Sequence, residues 1–251
     1  MKNNAQIETG LGACSHRRLL FKSVFGIAAT GAIGALGLAV PEIVYAAALT
    51  KEERDRMTPD EIIEGLKKGN ARFRANKPKR HDYLAQQQAS AAGQYPAAAI
   101  LSCIDSRAPA EIILDTGIGE TFNSRVAGNI SNEDILGGLE FACAAAGAKV
   151  IVVMGHTSCG AVKGAIDDAK LGNLTGLLTK IKPAITATTY LGERIASNYA
   201  FVDEVAKTNV KMTVDRIRQG SEVLSDLEKA GKVKIVGAMY NLKGGSVEFF
   251  N

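Results

Sequence analysis

Apolar positions recur along the chain in two rhythms, and each rhythm predicts a different element. AAAILSC (97–103) and KVIVVMGH (149–156) are short, nearly continuous apolar runs bounded by turn residues. Runs of that length rich in Val and Ile fit strands buried on both faces. ETFNSRVAG (120–128) is a weaker strand candidate. KVKIVGAMYNL (232–242) and SVEFF (246–250) flank Lys-Gly-Gly and predict a closing hairpin.

Helical spacing fills the intervals. TPDE (58–61) offers Thr58 as N-cap, Pro59 in the first turn and Glu61 to close a capping box. Ile62, Ile63, Leu66 and Phe73 then follow one face, so an N-terminal helical arm is expected over about 58–75. The arm packs either on its own domain or on a second subunit. KPKRHDYLAQQQAS (77–90) reads as polar connection or weak helix, and PAEIILD (109–115) as a short helix. NEDILGGLEFACAAAG (132–147) is a helix capped by Asn132 and stopped by Gly147. Further helical segments are expected over 160–171, 174–188 and 198–230. Strands alternating with helices predict an α/β fold: a mostly parallel central sheet flanked by helices, with a C-terminal β-hairpin.

The first 48 residues follow another logic. Basic HRRLLFK (16–22) precedes FGIAATGAIGALGLAV (25–40), which is apolar but rich in Gly and Ala, and VYAAALT (44–50) supplies small residues. This is the order of an export signal. Arg17-Arg18 followed by Leu-Leu-Phe-Lys resembles a bacterial twin-arginine signal. Residues 1–48 are therefore expected to be cleaved, after Ala46 or Ala48, leaving one domain over 49–251 in the periplasm with no stable membrane anchor. The apolar run is short and weakly hydrophobic for a membrane span. The signal also carries much of the positive charge: Lys2, Arg17, Arg18 and Lys22 stand against Glu8, in a chain of net charge +4. The remainder is nearly neutral, so no nucleic-acid footprint is present.

Cleavage removes Cys14 and leaves Cys103, Cys143 and Cys159. Three is an odd number for a disulfide framework. Cys143 lies in an apolar helix and is assigned to the core. Cys103 ends one buried strand; His156 and Cys159 follow another, bracketed by Gly155 and Gly160. Two thiolates and an imidazole suit zinc. The fourth position goes either to water, giving an open catalytic site, or to Asp105, giving a closed one. Asp105 and Arg107 follow Cys103 at alternate positions, where an ion pair is expected.

SCIDSR (102–107) and GHTSCG (155–160) closely resemble the signatures of the β-class carbonic anhydrases. The resemblance runs from about residue 58 to the C-terminus, through RVAGN (125–129) and the hairpin. It implies one zinc ion per chain on Cys103, His156 and Cys159, with Asp105 and Arg107 as a dyad and Asp105 as an occasional fourth ligand. It implies reversible hydration of carbon dioxide to bicarbonate by zinc-hydroxide attack. It also implies a homodimer or homotetramer with the pocket built across the interface. Gln94, Phe122 and Gly160 match substrate-pocket positions of the open, plant-like branch. Phe141 and Ala127 depart from that branch, which has a tyrosine and a valine there. The bicarbonate-inhibited branch uses a tryptophan, and this chain has none. Relatives that hydrolyse carbon disulfide or carbonyl sulfide share the site and are an alternative, as is a non-catalytic zinc or thiol protein. A dithiol redox centre is disfavoured, because Cys103 and Cys159 lie far apart in sequence. His81 is read as a solvated surface residue, with a proton shuttle as its functional alternative and Tyr83 as a weaker one.

Overall fold

The computed structural model describes residues 47–250 together with the backbone of Val44–Tyr45. The segment expected to be an export signal lies outside the described residues except at Val44–Tyr45 and Ala47–Ala48. Among the described residues no helix is long and apolar enough to cross a membrane.

The chain runs β1 (Val44–Tyr45), α1 (Lys51–Arg56), α2 (Pro59–Arg74), β2 (Arg80–His81), α3 (Tyr83–Ser90), β3 (Ala98–Ser102), α4 (Ala110–Ile113) and β4 (Thr121–Arg125). A 3₁₀ turn (Ala127–Asn129), α5 (Glu133–Glu140) and a π turn (Phe141–Ala145) lead to β5 (Val150–His156). Then come α6 (Gly160–Ile166), α7 (Gly172–Thr179), α8 (Lys182–Ala187), α9 (Tyr199–Gly220), α10 (Glu222–Lys229), β6 (Lys234–Tyr240) and β7 (Val247–Phe250).

The main sheet has the order β4-β3-β5-β6-β7, parallel except for the antiparallel edge strand β7. Strand alternation sorts its side chains into two layers. Ala98, Ile100, Val150, Val152 and Met154 pack with Ile62, Ile63 and Leu66 of α2 and with Ile113 and Leu114 of α4. Ala99, Leu101, Cys103, Ile151 and Val153 face α9, whose Phe201, Val205 and Val210 are fully buried. Fully burying one such side chain contributes about 1.5–3 kcal/mol.

The arm helix therefore packs on its own sheet. Its predicted capping box is present, with Thr58 Oγ1 accepting from the Glu61 backbone and the Glu61 carboxylate accepting from the Thr58 backbone. Asn70 ties it to α4 and to the hairpin: its Nδ2 donates to the carbonyls of Ile113 (3.2 Å) and Gly245 (2.8 Å), and its Oδ1 accepts from the Val247 backbone at 2.9 Å. Close approach needs Gly69, where an added Cβ would lie 1.9 Å from the Leu114 carbonyl oxygen.

Several expected helices are interrupted. Residues 198–230 form two helices, because Ser221 leaves helical geometry and caps α10 while its hydroxyl donates to Glu140 at 2.5 Å. Residues 132–147 end in a π turn, in which the Ala146 N–H reaches back to the Phe141 carbonyl. Residues 160–171 are helical only to Ile166, and 174–188 divide into α7 and α8. The polar stretch 77–90 carries β2 and the well-formed α3.

Candidate metal centre

After β3 the chain moves outward to β4, and after β5 it moves to the opposite side, to β6. The crevice where connections diverge lies at the C-terminal ends of β3 and β5, the usual position of a site in an open α/β sheet. Register then decides which residues meet. Ser102 pairs with Met154, so Cys103 emerges beside Gly155 and His156. Cys103, His156 and Cys159 are all buried, and their ligand atoms lie within 4.8 Å of one another.

The imidazole is aimed by its backbone partner. His156 Nδ1 lies 2.9 Å from the Thr157 carbonyl oxygen, so Nδ1 carries the proton and donates. Nε2 is then a bare lone pair, buried and without any hydrogen-bond partner. An unsatisfied buried acceptor carries a desolvation cost on the order of 1–3 kcal/mol. A cation between Nε2 and the two sulfurs removes that cost, so the donor set fits a soft, tetrahedral dication.

The loop carrying Cys159 is held tightly. The Thr157 N–H donates to the Tyr240 carbonyl at 2.9 Å, and Thr157 Oγ1 accepts from the Leu242 backbone at 3.0 Å. Ser158 adopts a left-handed conformation, φ +56°, which costs a non-glycine residue roughly 1–2 kcal/mol. Its N–H donates to Asp203 Oδ1 at 2.6 Å. Gly155 lets α9 approach: a Cβ there would lie 2.6 Å from Val210 Cγ2.

On the other loop, the Gly128 N–H points at Cys103 Sγ at 3.4 Å. Gly128 has φ +68°, a conformation glycine adopts without strain. Arg125 bridges two carbonyls: Nε donates to Cys103 (3.0 Å) and Nη2 to Asp105 (2.6 Å). Asp105 and Arg107 form the expected pair, and it is bidentate. Arg107 Nε donates to Oδ1 at 2.9 Å and Nη2 to Oδ2 at 2.8 Å, while the Arg107 backbone N–H donates to Oδ1 at 3.0 Å. The carboxylate faces the cluster, with Oδ2 3.7 Å from His156 Nε2.

Protonation follows from these contacts. Asp105 is held well below the usual carboxylate range, first by the Arg107 side-chain bonds. The two thiols behave as a coupled pair. A hydrogen bond from Cys159 pulls Cys103 down, with the Gly128 N–H helping. Cys159 is pushed up, because it gives that hydrogen bond and because burial opposes a second thiolate beside the first. Burial works to lower the His156 value, but the Cys103 thiolate outweighs it and the net shift is upward. A dication held by Cys103, His156 and Cys159 would reverse the penalty on Cys159 and favour its thiolate. Cys143 lies in the core as expected, and burial pushes it up to about 12.

The structure thus brings Cys103, Asp105, Arg107, His156 and Cys159 together, with exposed Gly160 adjoining at the start of α6. It does not bring Gln94 or Phe122 to them within one chain. Gln94 is exposed and precedes β3, whereas Cys103 follows it, and the strand between spans about 16 Å. Phe122 pairs with Ala99 on β4 and packs edge-on against Phe141, ring centres 5.9 Å apart. His81 is not a solvated residue. Its side chain is buried, with Nε2 3.3 Å from Asp115 Oδ1 and Nδ1 3.1 Å from Gln86 Nε2. The buried Asp115 carboxylate needs such partners, and it also accepts from Arg72 and the Lys79 backbone. Tyr83 stacks on His81 at 5.4 Å.

Comparison with known proteins agrees with the geometry. The carbonic anhydrase family model matches residues 98–247. Carbonic anhydrase 2 of Mycobacterium tuberculosis is 37% identical over 182 residues, which cover 72% of this chain and 87% of the relative. The carbonic anhydrase of Mycolicibacterium smegmatis is 36% identical over 185 residues, 73% and 89% of the two chains. Among solved structures, one of two tetrameric β-carbonic anhydrases from Sordaria macrospora superposes with a TM-score of 0.57, at 24% identity over 64% of this chain and 83% of that one; it supports the fold. With the buried Cys-His-Cys cluster at the β3–β5 crevice, these likenesses show that the chain belongs to the β-class carbonic anhydrases, a family of zinc enzymes.

Proposed function

We propose that the chain catalyses reversible hydration of carbon dioxide to bicarbonate and a proton, with zinc on Cys103, His156 and Cys159 and with Asp105 and Arg107 as a working dyad. The observation that carries this reading is His156 Nε2, a buried lone pair with no hydrogen-bond partner, beside two cysteine sulfurs. Bound there, zinc would supply Lewis acidity, lowering the pKa of a water so that it can react as hydroxide.

The protein's part is orientation and charge. Arg107 keeps Asp105 ionised and turned toward the cluster by its fork of two charge-assisted bonds. Asp105 Oδ2 accepts the hydrogen bond of the reacting water and so presents an oxygen lone pair to carbon dioxide. With its other oxygen occupied by two Arg107 donors, the carboxylate is also restrained from swinging toward the ligands. Gly160, with nothing within 4 Å of an added Cβ, leaves room for substrate beside Cys159. Gln94 and Phe122 serve the pocket from a second copy of the chain, in a homodimer or homotetramer of the open, plant-like branch. The protein is exported to the periplasm through the signal at residues 1–48, by the twin-arginine route.

Two thiolates cancel the charge of a dication, so its water is less acidic than in a three-histidine site, where the pKa is about 7. Hydration should therefore rise with pH. Stopped-flow hydration on zinc-quantified protein between about pH 6.5 and 9 tests this. One zinc per chain with alkaline-activated hydration supports the reading; full zinc loading with no hydration at any pH refutes it.

A further inference from the structure

The loop that carries His156 and Cys159 and the turn that faces Cys103 are tied to a single helix. Asp203, in the second turn of α9, accepts the Ser158 N–H on Oδ1 at 2.6 Å. Six residues on, buried Asn209 donates from Nδ2 to the Gly128 carbonyl at 2.7 Å, and the N–H of that same Gly128 points at Cys103 Sγ at 3.4 Å. The six-residue interval spans about 9 Å of helix. α9 thus sets the distance between the loop of His156 and Cys159 and the turn that faces Cys103.

Ser158 is the critical joint. It lies between two ligands, and its left-handed backbone, φ +56°, decides whether His156 and Cys159 converge. A serine has no intrinsic preference for that conformation. Its N–H donates to the Asp203 carboxylate, and a bond to an ionised acceptor is the stronger kind. We propose that Asp203 is a positioning residue for the metal centre: it locks Ser158 in the left-handed state and so holds His156 and Cys159 at one point. This rests on the reading that Cys103, His156 and Cys159 hold zinc. It assigns Asp203 no contact with metal or substrate.

The test uses the full chain loaded with zinc. D203A removes the acceptor, D203N keeps an acceptor oxygen without the charge, and E204A alters the exposed neighbour as a control. Zinc release to excess chromophoric chelator is timed, and the visible spectrum of the cobalt-substituted proteins reports ligand geometry. D203A should release zinc 10- to 100-fold faster and alter the cobalt bands, as loss of an outer partner of a metal ligand does. D203N should recover most of the loss, and E204A should match wild type. Release from D203A at the wild-type rate, or D203N behaving like D203A, overturns the proposal even if the melting temperature falls. If wild type itself retains no zinc, the metal reading falls and the clamp with it; if wild type retains one zinc and D203A keeps it as long, the clamp alone falls.

Discussion

Replacing Arg107 by alanine isolates the dyad. Asp105 has three donors, and two come from the Arg107 side chain; the third, the backbone N–H, survives the substitution. Bonds to charged groups contribute about 1.5–3 kcal/mol each. The Arg107 side chain is 56% exposed, so screening by water cuts this roughly in half. The two bonds together then hold Asp105 in place by about 1.5–3 kcal/mol. If orientation of Asp105 is needed only in the transition state, turnover falls roughly 10- to 150-fold. Arg107→Lys keeps the charge but not the fork and should fall about tenfold. The sign with pH is also fixed. Arg107 depresses the Asp105 value, so the ionised form is stabilised; that contribution is present above the ordinary carboxylate value of about 4 and is lost as pH falls through the folded value. Without Arg107 the carboxyl rises toward the ordinary range and the acid edge of the rate profile moves up. At alkaline pH both proteins are ionised there, and the remaining deficit is orientation alone. The assay is stopped-flow hydration of carbon dioxide on protein of equal zinc content. Turnover within twofold of wild type, with full zinc, would refute the argument.

Two further outcomes follow from the same contacts. In metal-stripped protein, Cys103 should be alkylated at about pH 6 while Cys143 is spared, since the Cys159 hydrogen bond holds Cys103 below the ordinary thiol range and burial pushes Cys143 up to about 12; reloading zinc should protect Cys103, and mass mapping that finds Cys143 labelled as fast would contradict the assignment. Asn70→Ala removes three bonds, two joining α2 to the hairpin and one to α4, and should cost about 3 kcal/mol, a melting-temperature fall on the order of 6–10 °C; an unchanged thermal scan would show the arm is held by its apolar face alone.

How much of this was legible in the chain depended on how local the cause was. β3 and β5 are legible because a parallel strand buried on both faces must be apolar throughout. α2 is legible because its start is written in four consecutive residues. α1, six residues of KEERDR, has no apolar stripe to announce it; its evidence is the Thr50–Glu53 capping box. The break at Ser221 depends on Glu140, a residue from another helix, and is invisible to periodicity. The ligands and the dyad are legible as reactive residues at strand ends. Asp203, Asn209 and Arg125 are not, because each acts through a backbone group that only the folded chain brings near. A backbone partner leaves no residue type to recognise. Gln94 and Phe122 rest on resemblance alone, and one chain does not gather them at the cluster.

The β3–β5 pairing has a consequence for how the protein matures. Cys103 shares the α9 layer with Ala99 and Leu101 by strict alternation. A slip of one residue in that pairing would turn the thiol into the opposite layer and carry it past His156. On the proposed reading, a chain paired out of register would lack its third ligand and bind zinc poorly, so zinc binding would favour correctly aligned sheets by mass action.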